Sequence, residues 1–213
     1  MHKQKISLWL FSINEAINPI TSEEIEFSKT ISPLRSNLYK RSRGCIRKVI
    51  SNVFDIPALD VELFAPIGKP PIINKDFGYV SLSHCDDGIL IGWSMDKIGV
   101  DIERKDRKIK SSKIIKRFFS DNEKLKLLNL KVDNLDQEFI KTWVLKESAI
   151  KWQYGNIANG ISEWEISNDL KYAINNKLNL KLNTLQFKFK DWSIGVASLN
   201  DIDKIYPLLC TYK

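Results

Sequence analysis

The sequence predicts a mixed α+β fold, and three observations support this. Segments with apolar residues at helical spacing alternate with segments of period-two alternation along the 213 residues. The order is strand, helix, strands and then helix, helix, strands, as expected for two similar α+β halves. Hydrophobic residues make up 43% of the chain, enough for one core or two small ones. No literal sequence repeat accompanies this order, so element order alone indicates two halves.

The first segments predict a strand, a short helix and a long helix. Residues 5–13, KISLWLFSI, are strand-like, because the apolar run is short for a signal peptide and lacks a small-residue cleavage site. Thr21 or Ser22 followed by Glu24 is a helix-capping pattern. Residues 32–54 predict an amphipathic helix whose non-apolar face is largely basic. That basic face is either simply solvated or directed at a phosphate.

The middle of the chain predicts a rigid loop and an antiparallel meander. Residues 65–72, APIGKPPI, are punctuated by proline and glycine. Three short β-type runs follow, GYVSLSH, GILIGWSM and KIGVDIE, with a hairpin turn at CDDG between the first two. The meander therefore ends on Asp101 and Glu103.

The last third predicts helices and then strands. Residues 104–117 are strongly basic. Residues 118–130 predict a helix capped by Ser120, with Glu123 at its third position. Residues 136–155 predict a second helix that Gly155 ends, and residues 161–199 read as strands.

Composition limits the function without selecting it. The formal net charge of +7 favours an anionic partner, although a genome-wide bias toward lysine gives the same charge. Three isolated cysteines without a CxxC pair indicate a reducing, cytoplasmic setting. Two histidines are too few for a His-rich zinc site. No apolar stretch approaches the length of a membrane-spanning helix.

Asp101 and Glu103 are the first candidates for chemistry. Alternate residues of a strand share a face, so the two carboxylates point the same way and repel unless a cation lies between them. Oxygen-rich sites suit Mg²⁺. For this pair alone, a solvated strand end or pairing with Arg104 or Lys105 is the favoured interpretation.

A third carboxylate and two polar residues widen the candidate site. Glu147 and Lys151 lie four apart on a helix, which fits either a surface ion pair worth ~0.3–0.5 kcal/mol or a metal ligand beside a phosphate contact. Spacing alone does not decide between them. Ser83 and His84 can both donate to a phosphate, although an isolated histidine at a strand end is more often structural.

Five motifs then occur in one order: GKPPI (68–72), VSLSHCDDG (80–88), IGVDIE (98–103), RFFSDNE (117–123) and WVLKESAIK (143–151). Together they resemble the 4′-phosphopantetheinyl transferases of the longer, single-chain, surfactin-synthetase-activating type. The resemblance covers roughly residues 35–165.

The resemblance implies a fold and a reaction. The fold is a pseudo-dimer of two similar α+β halves, each a small antiparallel sheet packed with helices. We place the halves at residues 1–100, on the adenine and phosphate side, and 101–213, with the metal ligands and carrier-docking surface. The reaction moves the phosphopantetheine arm of coenzyme A to a serine of an apo acyl or peptidyl carrier protein, with Mg²⁺, and releases 3′,5′-ADP.

Site residues follow motif by motif from the same resemblance. The metal ligands are Asp101, Glu103 and Glu147. The coenzyme contacts are Arg43, Arg47, Gly68, Lys69, Pro70, Ser83, His84 and Lys151. The catalytic residues are Glu147, Lys151 and Glu123. The acceptor of the serine proton is Glu147 or a metal-bound water, with Glu123 as the third choice. The cations of 104–117 suit an acidic carrier.

The resemblance further implies a monomer without nucleic-acid or membrane partners. It names neither the carrier's pathway nor whether acyl-coenzyme A is accepted. Cys85 stands where a serine is common in the family, and the segment before the basic helix is short, which leaves the 3′-phosphate contacts open.

Two rival functions remain at this point. Asp96, Glu103 and Lys105 fit a metal-nuclease pattern, but this pattern leaves Glu147 and the GKP loop unexplained. The basic helix at 35–48 would support a nucleic-acid-binding module, but no nucleic-acid motif accompanies it.

Overall fold

The mixed α+β architecture is confirmed. A computed structural model describes residues 6–65, 69–156, 160–202 and 208–211. Its α-helices are α1 (Ser22–Ser28), α2 (Pro33–Phe54), α3 (Ser111–Phe118), α4 (Asp121–Leu128) and α5 (Val132–Gln153). Its strands are β1 (Ser7–Ser12), β2 (Leu63–Phe64), β3 (Ile72–Ile73), β4 (Tyr79–His84), β5 (Gly88–Ser94), β6 (Ile98–Arg104), β7 (Glu165–Ile166), β8 (Tyr172–Asn175), β9 (Leu180–Phe189), β10 (Trp192–Ser198) and β11 (Leu208–Thr211).

Two sheets, each with one long helix packed against it, form the body of the protein. The first sheet has the order β11-β1-β5-β4 and the second β6-β10-β9-β8-β7, while β2 and β3 form a small separate pair. All pairs are antiparallel except β1 with β11. Helix α2 shares a core with the first sheet and α5 with the second. A third core, which includes Leu8, Leu90, Val100 and Val196, joins the two sheets.

The predicted three-stranded meander is wrong at its third strand. The CDDG turn does join β4 to β5 as an antiparallel hairpin. However, β6 pairs with β10 and not with β5, so Asp101 and Glu103 lie on the edge strand of the second sheet. The hydroxyls of Ser81 and Ser83 on β4 accept hydrogen bonds of 3.0 and 3.3 Å from the backbone N–H groups of Val100 and Ile102. We call this side-chain-to-backbone junction between the edges of the sheets the serine seam.

Helix α5 lies unusually close to β6 and β10. A Cβ atom at Gly99 would come within 1.9 Å of the Ser148 carbonyl oxygen, and one at Gly195 within 2.5 Å of the Val144 carbonyl oxygen. Glycine is therefore required at both positions, because any side chain would displace the helix. This close approach sets the height of α5 above the strand that carries Asp101.

Both predicted capping boxes are present. Thr21 and Glu24 exchange hydrogen bonds at the start of α1, and Ser120 and Glu123 do so at the start of α4. Each box satisfies backbone N–H groups that the first helical turn leaves without partners.

The solvated basic face expected on α2 is interrupted in the middle of the helix. Arg43 and Arg47 are buried there, 8% and 3% exposed. Arg47 forms an ion pair of 2.9 Å with Glu24 of α1 and donates to the Val61 carbonyl oxygen. Helix α1 therefore covers a face of α2 that the sequence pattern assigned to solvent or ligand.

Within the described ranges, no helix combines the length and the apolar character needed to cross a bilayer.

Candidate active site

Three carboxylates converge where β6 faces α5. Asp101 and Glu103 lie two residues apart on β6, and Glu147 comes from the face of α5 that packs over this strand. One oxygen from each can be chosen so that all three lie within 4.8 Å of one another. Asp101 is 2% exposed and Glu147 is 8% exposed, so neither is a solvated strand end or a surface residue.

Lys151 and Ser83 fix Asp101 in this cluster. The Lys151 ammonium lies 2.6 Å from Asp101 Oδ1 and 3.7 Å from Glu147 Oε2. The same ammonium donates to Ser83 Oγ at 2.8 Å, and Ser83 Oγ donates to Asp101 Oδ1 at 2.7 Å. Asp101 Oδ2 is buried and has no hydrogen-bond partner. A buried carboxylate oxygen without a donor is costly, so the cluster is suited to a further cation.

Burial and mutual repulsion disfavour the charged forms of Glu103 and Glu147. Burial and then the neighbouring Asp101 charge raise the pKa of Glu103 to about 7. The same two causes, in the same order, raise the pKa of Glu147 well above its usual range, although Lys151 opposes the shift. At the rim, desolvation of the ring and the Lys151 charge lower the pKa of His84, so the imidazole is neutral near pH 7.

A cavity of about 370 Å³ contains this cluster. Most of the site residues expected from sequence line it together: Lys69, Pro70, Ser83, His84, Asp101, Glu103, Glu147 and Lys151. They come from the 69–71 loop, the end of β4, β6 and α5, so elements of both sheets contribute. Gly68 lies outside the described residues.

The cations that follow Glu103 do not neutralise Asp101. Arg104 pairs with Asp87 and Asp106, each within 3 Å. Lys105 lies 3.7 Å from Asp191. Arg107 is in direct contact with Glu103, a pairing that sequence reasoning missed. The alternative of Arg104 or Lys105 closing on the two carboxylates is therefore absent here.

Glu123 and Arg47 lie outside the cavity lining and are occupied elsewhere. Glu123 is 3% exposed and pairs at 2.8 Å with Lys146, which is fully buried. The Glu123 carboxylate also accepts from the backbone of Ser120 and Ile166, each at 2.9 Å. These bonds join α4, α5 and β7.

Arg43 differs from Arg47 in that two of its donors are unused. Its Nε and Nη1 atoms are buried without a hydrogen-bond partner, and its guanidinium lies 4.8 Å from the centroid of the Tyr39 ring. Arg43 is not among the residues that line the cavity. Unpaired buried guanidinium groups are rare, which makes Arg43 a candidate for an anion.

Sequence reasoning also missed Tyr154 as a wall of the cavity. Tyr154 follows Lys151 by three residues, so the helical stripe that carries Glu147 and Lys151 predicts its position.

The nuclease pattern is not assembled. Within the described ranges, the group of three metal-competent side chains contains Glu103 but not Asp96. Lys105, the lysine of that pattern, lines a different cavity, with Lys141 and Lys188.

Comparison of the sequence with known proteins finds similarity to one family. A family model described as the 4′-phosphopantetheinyl transferase superfamily matches residues 97–199, which include all three carboxylates. The 4′-phosphopantetheinyl transferase ffp of Bacillus subtilis is 36% identical over 107 residues, covering 50% of this chain and 47% of the relative. The 4′-phosphopantetheinyl transferase Sfp of Bacillus subtilis (strain 168) is 33% identical over 147 residues, covering 62% and 65%. The 4′-phosphopantetheinyl transferase gsp of Aneurinibacillus migulanus is 29% identical over 106 residues, covering 50% and 44%. The chain thus spans less than two thirds of the length of each of these relatives.

Proposed function

We propose, from the premise that this chain belongs to the 4′-phosphopantetheinyl transferase superfamily, that it transfers the phosphopantetheine arm of coenzyme A to a serine of an apo carrier protein. The second product is 3′,5′-ADP. The observation that carries the proposal is the convergence of three carboxylates, Lys151 and His84 in one cavity. A diphosphate that binds there meets a cation site and two further donors.

Mg²⁺ fits the three carboxylates. The donor set contains only oxygen, which a hard cation prefers, and Asp101 Oδ2 is a buried oxygen with no other partner. We infer that Asp101, Glu103 and Glu147 hold the ion. When bound, Mg²⁺ supplies positive charge that offsets the charge of the diphosphate.

The protein's own residues then position the reactants. Lys151, whose ammonium lies 2.6 Å from Asp101 Oδ1, supplies an ammonium to a phosphate oxygen, and neutral His84 at the rim supplies an N–H donor. Lys69 and Pro70 line the wall toward the nucleoside. Phosphoryl transfer depends mainly on such positioning and charge stabilisation.

Proton transfer is assigned to Glu147. The serine oxygen forms a bond to the β-phosphorus of coenzyme A, the bond from that phosphorus to the oxygen bridging the α-phosphate breaks, and the serine proton must leave. Burial raises the pKa of Glu147 toward the range of an effective general base. Glu123 is proposed to act structurally, because its carboxylate already accepts from Lys146 and two backbone N–H groups.

Arg43 is proposed to contact the 3′-phosphate. Its two unpartnered donors are the support for this assignment. Arg47 has no such donors to offer, since Glu24 and two carbonyl oxygens already occupy its guanidinium.

The carrier is proposed to dock beside α3. Five exposed cations lie in and before this helix: Lys108, Lys110, Lys113, Lys116 and Arg117. Opposite charge on an acidic carrier would speed its encounter with this surface. We further propose a cytoplasmic location, which the free thiols of Cys45 and Cys85 suit. A monomer is proposed from the family resemblance.

Mass spectrometry tests the proposal. The protein is incubated with coenzyme A, Mg²⁺ and several apo carrier proteins, and the carriers are examined for added phosphopantetheine. We expect loading by the native protein and by Glu138→Ala, a control on the outer part of α5, and none by Glu147→Ala. No mass gain on any carrier would refute the function, and loading by Glu147→Ala at the native rate would refute the metal triad.

A further inference from the structure

Tyr154 adopts a backbone conformation that its residue type disfavours. It ends α5 with φ 61° and ψ 29°, in the left-handed region, and its N–H donates to the Ile150 and Lys151 carbonyl oxygens. This position usually holds glycine, because a side chain there crowds the backbone. Gly155 stands one position later. A bulky aromatic residue in such a conformation is a reason to look for a function of its side chain.

A cation holds the Tyr154 ring in place. The Lys97 ammonium lies 4.2 Å from the centroid of the Tyr154 ring and 4.6 Å from that of the Trp152 ring. The Trp152 indole N–H in turn donates to the Lys97 carbonyl oxygen at 3.0 Å. Lys97 is therefore fixed through both its backbone and its side chain, and it packs against the Tyr154 ring through cation–π attraction.

The ring lies in the wall of the cavity that contains the carboxylates, at some distance from them. Tyr154 follows Glu147 by seven residues on the same helix, which places its Cα about 10 Å farther along the axis. The lining of the cavity also contains apolar residues, among them Pro71, Val80 and Leu82. The cavity thus offers charged groups that suit phosphates and, farther along the axis of α5, an aromatic ring that suits a flat apolar group.

A nucleoside diphosphate has this distribution of chemistry. Its phosphates fit the cation site, its ribose spans the intervening distance, and its base is a flat ring that stacks on aromatic side chains. We propose that Tyr154 is the residue on which the base of the coenzyme stacks, and that Lys97 positions the Tyr154 ring. The inference rests on the proposed function, because coenzyme A supplies the nucleoside diphosphate.

The test separates binding of the base from binding of the phosphates. Calorimetry measures the dissociation constants of coenzyme A and of 4′-phosphopantetheine, which lacks the nucleoside. Tyr154→Asn removes the ring and keeps a residue type that tolerates the left-handed conformation. We expect it to weaken coenzyme A binding about tenfold, within the range known for loss of one stacking partner, while 4′-phosphopantetheine binding changes less than twofold. In carrier loading, the KM for coenzyme A rises and kcat changes less than twofold.

Two further variants and a control complete the design. Tyr154→Phe keeps the ring and restores the affinity. Lys97→Leu leaves Tyr154 in place and weakens coenzyme A binding by about twofold to threefold, which keeps the inference testable if Tyr154→Asn does not fold. Tyr172→Asn is the matched control, because Tyr172 carries Lys181 at 3.6 Å from its ring centroid on β8, outside the lining of the cavity. It should leave both dissociation constants unchanged.

The outcomes distinguish the two levels of inference. If the native protein binds coenzyme A and loads a carrier while Tyr154→Asn binds coenzyme A equally well, the stacking role is overturned and the proposed function stands. Equal weakening of coenzyme A and 4′-phosphopantetheine would also overturn it, because the ring would then act on the fold or the phosphate end. If the native protein binds no coenzyme A, both inferences fall.

Discussion

Replacing Glu147 by glutamine should stabilise the metal-free protein while it removes activity. The substitution deletes one of three negative charges that lie within 4.8 Å of one another. At an effective dielectric constant of about 20, each repulsion at this distance is about 3.5 kcal/mol, and Glu147 takes part in two. Its attraction to Lys151 at 3.7 Å is about 4.5 kcal/mol on the same scale. Repulsion therefore exceeds attraction by about 2.5 kcal/mol, and we expect the free energy of unfolding to rise by about this amount.

The size of this stabilisation depends on pH. The pKa of Glu147 is higher in the folded protein than in the unfolded chain, so folding favours the protonated acid. The penalty is absent below the unfolded pKa, grows as the pH rises toward the folded pKa, and is complete above it. The stabilising effect of Glu147→Gln should thus be full at pH 9 and close to zero near pH 4.5.

Urea unfolding in the presence of a chelator, followed by the fluorescence of the six tryptophans, measures the effect. Glu138→Gln is the matched control, since it makes the same change on the same helix at a partly exposed ion pair with Lys141. It should change stability by less than about 0.5 kcal/mol. Carrier loading should fall at least a hundredfold for Glu147→Gln only. If Glu147→Gln proves less stable than the native protein at pH 9, the existing cations already satisfy the three carboxylates, and our argument for a further cation is wrong.

Three other predictions follow from the same contacts. The pKa of Glu103 is about 7, so protons compete with a metal ion for its carboxylate below that pH. The rise in melting temperature caused by Mg²⁺ should therefore be larger at pH 8 than at pH 6. An equal rise at both pH values would refute the role of Glu103 as a ligand. Glu123→Gln leaves the buried Lys146 ammonium without a carboxylate partner, although it still donates to the Ile161 and Trp164 carbonyl oxygens. The change should cost about 3 kcal/mol of stability, measured by urea unfolding, with activity falling only as folded protein is lost. A native-like stability with a hundredfold lower kcat would instead identify Glu123 as catalytic. Gly99→Ala should lower the melting temperature and the loading rate together, because its methyl group would meet the Ser148 carbonyl oxygen; an unchanged loading rate would show that the height of α5 does not set the site.

Local patterns predicted most of the elements. The capping boxes at Thr21 and Ser120 are read from residues three apart, and the stripe of Glu147 and Lys151 follows from the helical period. The burial of Arg47 could not be read in this way, because its partner Glu24 lies 23 residues earlier on another helix.

The other wrong prediction concerned the sheet to which β6 belongs, and the error has a similar cause. Three short β-type runs in a row suggest a meander, but the run that carries Asp101 pairs with β10, about ninety residues later in the sequence. A tight turn determines which strands pair only when it joins them as a hairpin. The approach of Glu147 to Asp101 was predicted from the family resemblance. Spacing alone also allowed a surface ion pair between Glu147 and Lys151.

The serine seam has a kinetic consequence. Hydroxyl groups of β4 bind the backbone of β6, and a common apolar core joins the two sheets. Swinging the sheets apart would break these bonds and expose that core to water. Product departure is therefore expected to proceed without a hinge motion, at a rate set by the strength of its contacts in the cavity. The release rate should then depend on salt concentration and hardly at all on solvent viscosity.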